Sequence, residues 1–224
     1  MDAPKPMASD HACTRCGASF VNDAPLDALG RCAICRRGLW GFDSAYSYGF
    51  YEKELRELVH LFKYQKVYPL ARPLAGRMLA AIPKSDRFDV IVPVPMHWRK
   101  RFDRGFNQSE LLSNELSRHL FVPVKSALRR SRNAPAQASK SFAERRSSMR
   151  KGAFAVRDAN SVAGRRVLLV DDVFTTGATA RACARELKRA GAAHVTLLTL
   201  ARVDRRPVAP PGRARTTAAT TGGN

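Results

Sequence analysis

The sequence has no long apolar run. Nowhere in its 224 residues do about 18 consecutive apolar positions occur, the length that a membrane-crossing helix requires, so no membrane span is expected. An apolar stretch is also missing from the N-terminus. Met1 to His11 carries Asp2, Pro4, Pro6 and Asp10, which argues against a secretory signal and for a cytoplasmic chain. Acidic residues are scarce, 19 against 39 Lys and Arg, leaving a formal charge of +20. That balance favours polyanions, either nucleic acid or phosphorylated small molecules. A GC-rich genome that writes Arg for Lys, together with general solubility, produces the same numbers. There is no internal repeat. No helix-turn-helix pattern is visible, which weighs against a ligand-sensing regulator.

Cysteine is rare as well. Of five cysteines, four fall into two Cys-x-x-Cys pairs, Cys13/Cys16 and Cys32/Cys35, with fifteen residues between the pairs. This spacing reads as one tetrahedral zinc site, each pair forming a knuckle. Two disulfides or redox-active thiols are the alternatives, and a cytoplasmic chain with two matched pairs argues against both. Four thiolates leave no open position on the metal, so the expected Zn2+ is structural. A module of about 30 residues depends on it for stability. Cys183, flanked by alanines, reads as a buried core thiol.

The remaining chain alternates strand-like and helix-like segments, the pattern of an α/β domain with a mainly parallel sheet. Residues 43–49 suit an edge strand, and 52–64 an amphipathic helix with Leu55, Leu58, Val59 and Phe62 on its apolar face. In that helix Lys63 reads as an ordinary partner of the C-terminal dipole. A second helix is expected over roughly 69–81, a buried strand over 88–95 closed by prolines, and a helix over 109–120 capped by Asn107 or Ser109. Between these last two lies a basic loop with Arg99, Lys100, Arg101 and Arg104. It could neutralise a pyrophosphate, or be only a solvated basic loop. A further strand is expected over 123–128, another over 194–203, and disorder over 1–10 and 207–224.

The most informative stretch runs from Arg165 to Thr179. Four apolar residues, Val167 to Val170, suit a parallel strand buried on both faces. Asp171 and Asp172 stand where that strand is expected to end. Thr175, Thr176, Gly177, Ala178 and Thr179 follow, and then a helix that Gly191 stops. A hydroxyl- and glycine-rich loop opening a helix offers free N–H groups and the positive end of the helix dipole to a phosphate. Two carboxylates beside it suit ribose hydroxyls or a hydrated Mg2+. Together they suit a ribose 5-phosphate; the plainer alternative is a doubly wound sheet in which the two aspartates merely cap a strand.

The run Val-Leu-Leu-Val-Asp-Asp-Val-Phe-Thr-Thr-Gly-Ala-Thr, residues 167–179, resembles the phosphoribosyl pyrophosphate (PRPP) motif of type I phosphoribosyltransferases. The paired Cys-x-x-Cys sequences, Phe62-Lys63-Tyr64, Val-Pro-Val-Pro at 92–95 and Arg-Gly-Phe-Asn-Gln at 104–108 extend the resemblance to the ComF family, from about Cys13 to Val203. It implies a type I phosphoribosyltransferase fold over 42–206 behind a zinc module at 11–41. It further implies a PRPP–Mg2+ site in which Asp171 and Asp172 hold the ribose hydroxyls and the 175–179 loop holds the 5-phosphate. Single-stranded DNA and the competence machinery are the implied partners. Gln137, Arg145 and Arg146 resemble family positions in a loop that closes over substrate, although Ser148 and Met149 stand where an asparagine is expected. Purine-salvage members resembling this motif carry an aspartate where Thr175 stands, so a 6-oxopurine is not the expected acceptor. The acceptor and the oligomeric state are not legible.

Overall fold

The computed structural model describes residues 11–38, 40–131 and 153–203. The expectations for 1–10, for the segment with Gln137, Arg145 and Arg146, and for 207–224 lie outside the described residues. In chain order the elements are α1 (Ala33–Arg36), β1 (Ser44–Phe50), α2 (Lys53–Tyr64), a 3-10 turn (Tyr68–Leu70) and α3 (Ala71–Leu79). Then come β2 (Val90–Pro93), α4 (Trp98–Arg104), α5 (Gln108–Leu120), β3 (Leu128–Arg130), β4 (Phe154–Val156), β5 (Arg166–Phe174), α6 (Ala178–Arg189) and β6 (His194–Arg202).

Four strands form a sheet in the order β1-β6-β5-β2, with every pairing parallel. Because successive side chains of a strand point to opposite faces, the unbroken apolar run of β5 feeds two cores at once. Val167 and Leu169 join Val195, Leu197 and the α6 residues Cys183, Ala184 and Leu187. Leu168 and Val170 join Leu198, Leu200 and the helical residues Val59, Phe62, Leu74, Met78, Leu112 and Leu116. Helices therefore cover both faces, as in an α/β fold with a parallel sheet. Cys183 is fully buried in the first core, as its alanine neighbours lead one to expect.

Three expectations need correction. The 99–104 segment is helical, part of α4, and not a loop. The strand expected at 123–128 is a single parallel bridge between Ile91 and Val124; regular pairing begins only at Leu128, antiparallel to β4 in a separate two-stranded ribbon. Pro123 offers no N–H to a ladder, so there it supplies only its carbonyl, to Ile91 N–H. Finally, β5 runs past the two aspartates to Phe174 and stays in register with β6 as far as Phe174 opposite Arg202.

The four cysteines share the first core with Trp40, Phe42 and Phe174. Two hydrogen bonds tie this N-terminal segment to the sheet: Ala45 N–H donates to Arg15 O at 2.7 Å, and the side-chain Nη1 of Arg202 donates to Cys16 O at 2.6 Å. Among the described residues no helix is long and apolar enough to cross a membrane.

Candidate functional site

Near the carboxyl end of β5 the two aspartates point to different partners. Asp172 forms an ion pair with Lys63 Nζ at 2.8 Å, both side chains largely shielded from water. Asp171 Oδ1 accepts from Ser109 Oγ at 3.2 Å and from Asp172 N–H at 2.9 Å. Removal from water pushes the Asp171 carboxyl up to about 7, and the negative charge of Asp172 adds to this; Lys63 and Ser109 pull the other way. Lys63 is thus a partner of the acidic pair rather than a simple helix-dipole cation. Its backbone also takes part, because Gln108 Nε2 donates to Lys63 O at 3.5 Å.

After Phe174 the chain turns sharply into α6. Gly177 caps this helix with φ +72° and no side-chain bond, so the first-turn N–H groups face the loop. Thr176 Oγ1 accepts from Ala178 N–H at 3.3 Å, and Thr179 lies in the first helical turn. Glycine is required at 177 for two reasons. The φ is left-handed, and a Cβ there would sit 2.3 Å from Cζ3 of Trp40 and under 3 Å from the ring of Phe174. The indole of Trp40 therefore lies directly against the loop.

Asn107 caps α5 by accepting from Ser109 N–H at 3.1 Å, and its Nδ2 donates to Val94 O at 3.1 Å. The cap thereby fixes Ser109 beside Asp171. Arg104 stacks over Tyr64 at 4.8 Å and donates to Gln108 Oε1 at 3.3 Å. A chain of contacts thus runs from Arg104 through Gln108 and Lys63 to Asp172. Arg101 is paired instead with Glu110 at 2.9 Å on an exposed face. Arg99 lies in the first turn of α4, and its side chain is outside the described part of the structure.

Cys13, Cys16, Cys32 and Cys35 are buried, form no disulfide, and bring their sulfurs within 4.8 Å of each other. Cys16 Sγ and Cys32 Sγ are 3.8 Å apart. A tetrahedron with metal–sulfur arms of about 2.3 Å has edges of about 3.8 Å, so the cluster fits a metal of that kind. Cys32 N–H donates to Cys13 Sγ at 3.3 Å, which orients one sulfur toward the others. Hydrogen bonds from Cys16 and Cys35 hold the Cys13 thiol well below its ordinary range. The Cys16 thiol is pushed up to about 12, first by its bond to Cys13 and further by burial. A divalent cation is what would let all four ionise together.

Sequence reasoning left Lys63 and Ser109 without these roles. Phe62-Lys63-Tyr64 and the serine after Asn107-Gln108 were visible as residues, but which carboxylate each meets depends on the packing of α2 and α5 against β5.

The family model described as "Phosphoribosyl transferase domain" matches residues 107–214. With the parallel sheet, the helices on both faces and the four-cysteine cluster, this defines a phosphoribosyltransferase-fold protein with an N-terminal metal-binding type of module. Among curated proteins, competence protein F of Haemophilus influenzae is 29% identical, covering 85% of this chain and 84% of that protein. DNA utilization protein YhgH of Escherichia coli is 36% identical over 68% of this chain and 69% of that protein. The chain belongs to the ComF family. A solved adenine phosphoribosyltransferase is 19% identical with a TM-score of 0.40, covering 65% of this chain and 75% of that one. That likeness is too loose to say anything about the site.

Proposed function

We propose that the chain binds PRPP with Mg2+ and transfers its phosphoribosyl group to an acceptor. The observation that carries this reading is the joining of the Asp171–Asp172 pair, braced by Ser109 and Lys63, to the N-terminus of α6 through the 175–179 loop. In this reading Asp171 and Asp172 accept hydrogen bonds from the ribose hydroxyls. Thr175, Thr176, Gly177, Ala178, Thr179 and the N–H groups of α6 hold the 5-phosphate. Arg99, Arg101 and Arg104 attract the pyrophosphate, with Arg104 the one tied to the acidic pair. Mg2+, when bound with PRPP, supplies further neutralisation of the leaving group. The bond from the anomeric carbon to pyrophosphate breaks, a bond to the acceptor nucleophile forms, and the proton the acceptor loses passes to the departing pyrophosphate. The four cysteines hold a structural Zn2+ in this reading.

The test is calorimetric titration of PRPP–Mg2+ into the wild-type protein and into the Asp171→Asn, Asp172→Asn double variant. Saturable heat in the wild type that disappears in the variant supports the site. No heat in the wild type sinks it.

A second reading takes the same fold as a single-stranded DNA accessory in competence or DNA use, in keeping with the relatives' names. Its support is the +20 charge together with α4, where Trp98 and Phe102 are exposed beside Arg101. Basic side chains interleaved with exposed rings suit a stacked single strand. A steep fall in oligonucleotide affinity between low and moderate salt is its signature.

A further inference from the structure

We propose that Lys63 is a displaceable cation: in the empty site its ammonium holds Asp172, and when PRPP binds a ribose hydroxyl takes that place and the ammonium passes to the pyrophosphate. This rests on the phosphoribosyl reading above and gives a residue of α2 a part in recognising the leaving group.

Anchoring is the first argument. The main chain at Lys63 is fixed by its neighbours. Phe62 is fully buried and packs on Phe106 with ring centres 5.8 Å apart. The ring of Tyr64 lies 4.8 Å under the Arg104 guanidinium. Lys63 O accepts from Gln108 Nε2, and Gln108 is itself fully buried. The side chain is held otherwise. It leaves the last turn of α2 and ends on Asp172 Oδ2 at 2.8 Å, with 16% of it and 15% of Asp172 exposed, enough surface for a ligand to reach the pair. A flexible four-carbon stem on a fixed backbone lets the ammonium swing without moving the helix. An arginine fork would instead grip the carboxylate at two points.

Charge is the second argument. Removal from water and the charge of Asp172 push Asp171 up to about 7, and Lys63 works against both. In the empty site the ammonium thus satisfies the carboxylate that ribose hydroxyls satisfy in the filled one. A hydroxyl arriving at Asp172 Oδ2 competes with it. An ammonium left without an acceptor in a shielded site is costly. PRPP brings the acceptor with it, since its pyrophosphate is attached to the carbon next to the one bearing the 2-hydroxyl. The move is therefore short. Arg104, joined to Lys63 O through Gln108, adds a second cation to the same chain of contacts. The exchange keeps Asp172 ionised and aimed before the ligand arrives. It then sets a positive charge where negative charge develops as pyrophosphate departs.

The test is calorimetry on the full chain with Mg2+ in fixed excess, at a pH above the Asp171 value of about 7 so that both carboxylates are ionised. The ligands are PRPP, ribose 5-phosphate, which lacks the pyrophosphate, and inorganic pyrophosphate. In Lys63→Met, PRPP affinity should fall about ten- to a hundredfold, the worth of a hydrogen bond to a charged group, while ribose 5-phosphate affinity does not fall. Equal losses for both ligands overturn the proposal, because they mark a lysine that only braces Asp172. A second comparison serves if Lys63→Met does not fold or ribose 5-phosphate gives no heat. Asp172→Asn keeps the shape of the side chain but releases the ammonium, and pyrophosphate alone should then bind several-fold tighter than to the wild type. Asp171→Asn removes a like charge and leaves the 2.8 Å contact of Lys63 in place, so it controls for charge and should fall well short of that gain. No gain in Asp172→Asn, or the same gain in both variants, overturns the proposal. If the wild type gives heat with neither PRPP nor ribose 5-phosphate, the phosphoribosyl reading falls and the exchange with it. If PRPP binds and Lys63→Met leaves its affinity unchanged, only the exchange falls.

Discussion

Asp171 carries the sharpest consequences of any single residue. Its carboxyl titrates near 7 when folded against an ordinary 3.8, so between those values the folded chain keeps a proton that the unfolded chain releases. The sign follows: stability falls as pH rises through that window, and the loss is complete above it. Asp171→Asn preserves an oxygen for Ser109 and the Asp172 N–H but cannot ionise. The variant should melt several degrees above wild type at pH 8, each kcal/mol being worth about 2–4 °C in a chain this size, and the gap should narrow steadily toward pH 5. Thermal scans across pH 5 to 8 check this; a gap independent of pH contradicts it. Gly177 is the second such residue. Gly177→Ala forces a Cβ into Trp40 and strains a φ of +72°, so a loss of about 2 kcal/mol is expected. PRPP heat should vanish with it even at temperatures where the variant is folded.

At the scale of elements, the start of α5 joins stability to the site. Asn107 is 3% exposed, caps the helix and bonds Val94 O just past the end of β2. Asn107→Ala removes both bonds and should cost about 1–3 kcal/mol, read as a lower urea midpoint at unchanged m-value. Because the cap sets Ser109 against Asp171, PRPP affinity should fall as well. Most elements were legible from periodicity. The apolar face of α2 and the unbroken apolar run of β5 are strong local patterns, and Asn107 was one of two caps in view. Two failures have a common cause. The cations at 99, 100, 101 and 104 suggested a basic loop, either one that neutralises a pyrophosphate or a merely solvated one, yet Trp98–Arg104 is helical before Gly105. The segment at 123–128 has strand-like composition, yet only Val124 finds a parallel neighbour. Composition sets propensity; available neighbours decide pairing.

On the whole-molecule scale the question is whether the four-cysteine segment is an appendage. Its sulfurs share a core with Phe42, Phe174 and the α6 side of the sheet, and Arg15 Nη2 donates to Phe42 O at 2.9 Å. Removing the proposed metal should therefore do more than unravel thirty residues. Exhaustive chelation is expected to lower the melting temperature by at least about 10 °C in a single transition, with PRPP heat lost at once, since Trp40 would no longer pack on Gly177. Two separate transitions, with PRPP binding intact in the chelated protein, would show an independent module. Metal analysis of the purified chain, at one Zn2+ per chain, completes the test.

The sequence by itself determined the strand–loop–helix unit around Asp171, Asp172 and Gly177, and the four-cysteine cluster. Each is written in adjacent residues or in short fixed spacings, and local chain geometry leaves such patterns little freedom. The pairing of Lys63 with Asp172, the bond from Ser109 to Asp171 and the contact of Trp40 with Gly177 were decided by tertiary structure alone. Each joins residues from separate elements, and which of them meet depends on strand order and helix packing rather than on distance along the chain.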